Sequence, residues 1–213
     1  MLEPRLPPEA AAPAAWGSAC ALAALGATAV FLAPAGLQAA LEWRPELALT
    51  QPWRVCSAAL VHLSLQHLLA NLAGCLMLAL LAWRAGLGWR TLAAWALAWP
   101  LTQLGLLAWP DLSRYGGLSG VLHAGVATAA LALLLGTARP SGAPRTVGAL
   151  LLLGLALKVA LEHPFGPALQ TRAGWSIPIA PAAHFTGALA GVLGWAVVCA
   201  LARWRSRRGG TSR

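Results

Sequence analysis

An all-α, polytopic membrane protein, a bundle of six transmembrane helices, is the fold class that three observations predict. Of 213 residues, 59% are hydrophobic and only 10% are charged, a balance suited to lipid rather than water as the main solvent. Six apolar runs are long enough to reach across most of a hydrocarbon core of about 30 Å. Arginine and tryptophan gather at the ends of those runs, where a headgroup layer holds such side chains best. One integral domain over residues 16–202 is expected, with a short N-terminal tail at 1–15 and a basic C-terminal tail at 203–213.

The first span is read from Trp16 to Leu37. Its apolar stretch is too long for a cleavable leader, and Glu3 and Glu9 precede it together with Arg5, so it is expected to remain as the first helix. The second, Cys56 to Trp83, carries His62, His67 and Asn71, and the third runs from Thr91 to Trp109. The fourth, Leu118 to Gly136, opens on Ser119. A proline-containing connector, Thr137 to Thr146, leads to the fifth, Val147 to Glu162, which holds Lys158 and Glu162. An outer loop from Pro164 to Pro181 then feeds the sixth, Ala183 to Ala202, which begins at His184.

The formal charge of +9 reports orientation rather than nucleic-acid binding, because the arginines sit at loop ends and in a C-terminal cluster. With both termini inside, ten arginines (5, 84, 90, 139, 145, 203, 205, 207, 208 and 213) face the cytoplasm, against Arg44, Arg54, Arg114 and Arg172 outside. The bilayer is therefore the expected partner, and nucleic acid is not. Cys20, Cys56, Cys75 and Cys199 show no ligand spacing, so they are read as packing residues, with no metal and no cofactor expected.

In this topology Ser119, within GLSG, and His184, within AHFTG, fall near the outer mouths of two helices and can meet at one depth. Taken singly, each has a plain reading: a helix-start serine among turn glycines and an interfacial histidine. Gly187, Gly191 and Gly194 share the helix face of His184, and glycines at that spacing admit another backbone, so the imidazole is expected to face protein. A histidine beside a serine can take the hydroxyl proton during attack on a carbonyl and return it to the leaving amine. His67 and Asn71, four residues apart, project from one face. They are either interhelical hydrogen-bond partners or, with the Ser119 amide, donors to an oxyanion. Lys158 and Glu162 form an i, i+4 pair read as mutual charge compensation, with Glu162 close to the rim of the site.

These residues resemble the rhomboid family of intramembrane serine proteases, from Trp53 to Gly191. Trp53 and Arg54 look like the family's WR pair. His62, His67 and Asn71 match HxxxxHxxxN, Gly117, Ser119 and Gly120 match GxSG, and Ala183, His184 and Gly187 match AHxxG. The resemblance implies a Ser119–His184 dyad without a third carboxylate, an oxyanion site of His67, Asn71 and the Ser119 amide, and His62 as a support. His123, where many members carry an aromatic residue, is similar to the rhombosortase subgroup, as are the short length and the Lys158 to Glu162 stretch. That subgroup implies a sorting enzyme of the bacterial inner membrane, its site open to the periplasm. Its substrates are exported proteins bearing a C-terminal Gly-Gly motif, a membrane span and a basic tail.

His123 is expected to pack on His184 or tune it, with no catalytic step of its own. The outer loop, with Phe165, Trp175 and Ile177, is expected to cap the site. Two other classes compete: a rhomboid-like protein that binds membrane clients without cutting them, and a metal or haem protein using His62, His67, His123 and His184. The absence of HExxH and the i, i+5 relation of His62 to His67 oppose the latter. A transporter is weaker still, for want of an internal repeat.

Overall fold

The computed structural model describes residues 11–137 and 145–209, and every regular element among them is helical. Helix α1 (Ala12–Leu32) ends where Ala33 turns extended ahead of Pro34, a residue that disfavours helix in its predecessor. The expected span to Leu37 is therefore shortened, and a separate short helix α2 (Ala35–Leu41) follows. The stretch read as the start of span two breaks up likewise. Helix α3 (Arg54–Ser57) and a 3₁₀ turn (Ala58–Leu60) precede helix α4 (Leu65–Arg84), which starts where the Ser64 hydroxyl accepts the His67 amide. Hydropathy missed that cap because Cys56, Ala58, Ala59, Leu60 and Val61 are as apolar as the helix itself.

Helices α5 (Trp89–Gly105), α6 (Ser119–Leu134), α7 (Arg145–Leu161) and α8 (Pro181–Gly209) complete the bundle. Helix α8 carries Arg203, Arg205, Arg207 and Arg208, expected in a tail, on its own last turns. The connector Thr137 to Thr146 lies largely outside the described residues, as do most of the N-terminal tail and the end of the C-terminal one. Among the described residues four helices are long and apolar enough to cross a membrane: α1, α4, α5 together with the 3₁₀ turn Leu106–Ala108 that extends it, and α8. Length and composition thus support four of the six expected spans, α6 with 16 residues and α7 with 17 being shorter than the rest.

Helix α6 is the hub. Small residues fill SGVLHAGVATAALALL, and buried positions run around its whole circumference, the mark of a helix enclosed by others. Leu78 of α4 and Trp95 of α5 press on Gly125, Leu122 reaches over Gly74 of α4, and Gly148 of α7 rests on the Ala130 and Leu134 backbone. Helix α1 buries a stripe of Trp16, Cys20, Ala23, Ala27 and Val30, and Trp16 stacks on Trp95 at 4.8 Å. A second, smaller apolar cluster of Trp43, Ala58, Leu106, Leu112, Tyr115, Ala180, Ala182 and Ala183 underlies the loops at one end. Those loops hold the candidate site.

Candidate active site

The backbone before Ser119 is fixed on both sides. Trp43 and Tyr115 exchange backbone hydrogen bonds of 2.7 and 3.0 Å, and the Gly117 amide donates to the Ala58 carbonyl at 3.0 Å. Gly117 adopts φ +143°, where a side chain is strained, and a Cβ there would lie 2.7 Å from Cε1 of His67. Glycine is needed twice over at this position. The chain then turns directly into α6, so Ser119 is its first residue, and the leading amides of a helix lack intrahelical acceptors.

His184 stands in the first turn of α8. Small residues bring this helix against α6: a Cβ at Gly120 would lie 2.6 Å from the Ala183 carbonyl, one at Gly191 would lie 2.5 Å from the Ala124 carbonyl, and one at Gly187 would strike the Gly120 carbonyl. Backbone rests on backbone along this seam. As a result, Oγ of Ser119 lies 3.0 Å from Nε2 of His184, within reach for proton transfer.

The other edge of the imidazole meets a carboxylate that the family resemblance does not imply. Oε2 of Glu162 is 2.6 Å from Nδ1 of His184, and Oε1 of Glu162 accepts from Nζ of Lys158 at 2.8 Å. The Lys158–Glu162 pair is thus not closed on itself, as charge compensation alone required. An ionised carboxylate only accepts hydrogen bonds, so the proton of neutral His184 resides on Nδ1, leaving the Nε2 lone pair toward the serine. His123 stacks on the ring face at 4.3 Å and 11°, and its own Nδ1 lies 2.6 Å from the Ser119 carbonyl.

His62, His67 and Asn71 form a polar cluster at the start of α4. Burial lowers the proton affinity of His62, keeping the ring neutral. Its Nδ1–H donates to the Leu60 carbonyl at 3.1 Å, so Nε2 accepts from Asn71 Nδ2 at 3.0 Å. The second Asn71 proton goes to the His67 carbonyl at 3.1 Å. Both Asn71 donors are therefore engaged in this conformation, and its amide must turn to meet an oxyanion. His67 is placed differently: Nδ1 is buried without a partner among the described residues, while Cε1 and Nε2 lie against Gly117.

Trp53 and Arg54 are not brought to the serine. The buried Arg54 guanidinium donates to the carbonyls of Ala39 and Glu42 and to Oε1 of Gln51, and Trp53 reaches the Ala40 carbonyl at 3.4 Å. Both stitch together the loop between α2 and α4. Sequence reasoning missed Tyr115, whose hydroxyl donates to the Gly117 carbonyl at 3.1 Å and lies 3.4 Å from Oγ of Ser119. Burial raises the pKa of this phenol, so it stays protonated. Nothing local signals its role, because Trp43, far away in the chain, positions it.

The loop after α7 reaches across to α4. Gln66 Nε2 donates to the Gly174 carbonyl at 2.6 Å, the Ser176 amide donates to Oε1 of Gln66 at 3.0 Å, and the Ser176 and Ser64 hydroxyls are 3.0 Å apart. Trp175 and Ile177, expected in a cap, flank this crossing, whereas Phe165 stacks on Trp109 at 5.8 Å.

No curated protein matches the chain. A family model, Rhomboid domain, does match it over residues 49–201, well over half of the 213 residues. With the ordered motifs and an all-helical bundle around α6, the chain belongs to the Rhomboid domain family, whose members are generally intramembrane serine proteases and some of which are inactive.

Proposed function

We propose that the protein is an intramembrane serine endopeptidase of rhombosortase type, with Ser119 as nucleophile and His184 as general base and acid. The observation that carries this reading is the 3.0 Å contact between Oγ of Ser119 and Nε2 of His184. Attack of Oγ on the scissile carbonyl forms the C–O bond as the hydroxyl proton passes to Nε2. Collapse breaks the C–N bond, the same proton goes to the leaving amine, and an ester on Ser119 remains. Water, deprotonated through Nε2, then releases the acid. His67 and the helix-end amide of Ser119 supply the oxyanion donors, with Asn71 joining them once its amide turns. Removing one such donor typically costs about 2.7 to 4 kcal/mol. His62 holds Asn71, and Trp53 and Arg54 hold the loop above.

In this reading α6 and α7 span the inner membrane beside the four longer helices, both termini are cytoplasmic and the site opens to the periplasm. The arginine distribution supports that orientation. Helix α6, at 16 residues about 24 Å long, spans less than a core of about 30 Å, which suits a serine sunk below the headgroups. Substrates are exported membrane proteins ending in a Gly-Gly motif, one span and a basic tail. Glycine beside the span disfavours helix and leaves a carbonyl open to attack.

The test is incubation of purified protein with such a substrate, with mass analysis of the new C-terminus, alongside Ser119→Ala and His184→Ala. Both substitutions are expected to lower cleavage at least about 1,000-fold. An intact substrate throughout identifies a client-binding protein, whereas chelator-sensitive activity that tolerates Ser119→Ala identifies a metal protein. Either result ends the protease reading.

A further inference from the structure

We infer that Glu162 is a positioning residue for His184, completing a Ser119–His184–Glu162 relay that Lys158 holds in place; this rests on the protease reading above. The geometry uses both carboxylate oxygens. Oε2 meets Nδ1 of His184 at 2.6 Å and Oε1 meets Nζ of Lys158 at 2.8 Å, while Nε2 faces Oγ of Ser119 at 3.0 Å. Nδ1 and Nζ are only 3.4 Å apart, and both carry protons, so the carboxylate between them is what makes the arrangement attractive. The side chains of Glu162 and His184 are 13% and 12% exposed, dry enough for a charge-assisted hydrogen bond to exceed an ordinary one.

Three consequences follow for the serine. The carboxylate fixes the proton on Nδ1, so the only free lone pair of the neutral ring points at Oγ. It also aims the ring, together with the His123 stack on its face. Finally, it stabilises the imidazolium that forms when Oγ gives up its proton. Lys158 keeps the carboxylate ionised and swung toward His184. At the end of α7, His163 adopts φ +53°, its amide donating to the Ala160 carbonyl at 3.1 Å. This left-handed stop turns the chain away directly after Glu162, leaving the carboxylate on the last turn beside α8.

The alternative is a simple i, i+4 ion pair that touches His184 incidentally. The two roles separate in a labelling-rate measurement with a fluorophosphonate, in which Oγ bonds phosphorus, fluoride leaves and the hydroxyl proton passes to Nε2. The full-length protein in detergent is compared with Ser119→Ala, Glu162→Gln, Glu162→Ala and Lys158→Met, each checked for folding by its thermal unfolding. A positioning carboxylate predicts a loss of about 100- to 10,000-fold for Glu162→Gln, as when the triad carboxylate is neutralised in a serine protease. It predicts a loss of no more than about tenfold for Lys158→Met, which leaves the 2.6 Å contact possible, and partial rescue of Glu162→Ala by added acetate.

The pH profile adds a readout that packing does not move. Labelling requires the neutral ring, and a neighbouring carboxylate favours the charged one, so its rise with pH shifts to lower pH in Glu162→Gln. The other groups around the ring, His123 on α6, Lys158 on α7, His67 on α4 and Arg172 in the outer loop, are the same in both proteins. Should wild type label at Ser119 while Glu162→Gln loses under tenfold, or no more than Lys158→Met, the relay is overturned and the protease reading survives. Failure of wild type to label at Ser119 overturns both. If Glu162→Gln does not fold, Glu162→Ala decides: rescue by acetate supports the relay, and none overturns it.

Discussion

Helix α8 meets two of its neighbours, α6 and α7, in opposite ways. Against α6 it lies backbone to backbone, with Gly187, Gly191 and Gly120 in the seam. Against α7 it leaves a cavity of about 780 Å³, lined by Ala156, Val159 and Ala160 on one side and Phe185, Ala188 and Val192 on the other. Helix α7 rests instead on α6, through Gly148, and reaches His184 of α8 by the side chains of Lys158 and Glu162. The difference shows how the Ser119–His184 contact is held in a bundle that, within lipid, has no hydrophobic drive between its helices. The Ser119–His184 distance is set by main-chain contact, which cannot relax by changing a rotamer. The third partner arrives on a helix whose flank is open.

The comparison breaks most severely at Gly187. Valine there would push its methyls into the Gly120 carbonyl and force α6 and α8 apart, whereas a misplacement of about 1 Å already costs catalysis about 100-fold. Cleavage and phosphonate labelling are expected to fall at least that far. Stability is expected to drop by about 1 to 3 kcal/mol, read from thermal unfolding in detergent.

A smaller loss is expected from Gly117→Ala, on the approach to the serine. The residue must hold φ +143° with its new methyl against the His67 ring, a strain of about 1 to 3 kcal/mol. Displacing His67 in part weakens, without removing, one of the proposed oxyanion donors, so turnover is expected to fall by less than the roughly 100-fold that loss of a whole donor costs. KM for a small peptide ester is expected to stay within threefold, roughly, because the donor acts mainly on the transition state.

The open flank gives the opposite outcome. Ala156→Leu extends into the cavity without meeting backbone, so stability is expected to stay within about 0.5 kcal/mol and phosphonate labelling to stay at the wild-type rate. A collapse on this substitution to match Gly187→Val would erase the distinction between the two flanks.

Much of the site was legible because its chemistry sits in short, ordered motifs. Ser119 between Gly117 and Gly120, and His184 three residues before Gly187, carry polarity and close approach in the same few positions. The all-helical bundle was legible from apolar run length. What escaped is set by contacts distant in sequence or by caps that hydropathy does not see. Tyr115 reaches the serine because Trp43 pairs with its backbone, and the start of α4 is set by the Ser64 hydroxyl inside an apolar stretch. The i, i+4 spacing of Lys158 and Glu162 predicted their pairing correctly but said nothing of the second oxygen of Glu162. Only the fold brings His184, 22 residues on, to that oxygen.

The central claim is that Ser119 is a nucleophile made reactive by His184 on the outer side of the bundle. Its most direct test is mass mapping of the adduct formed when sealed, correctly oriented vesicles meet a membrane-impermeant fluorophosphonate. The account predicts a single phosphonylated peptide carrying Ser119, reduced to background in His184→Ala. An adduct on another residue, or one on Ser119 that forms equally fast without the histidine, contradicts it.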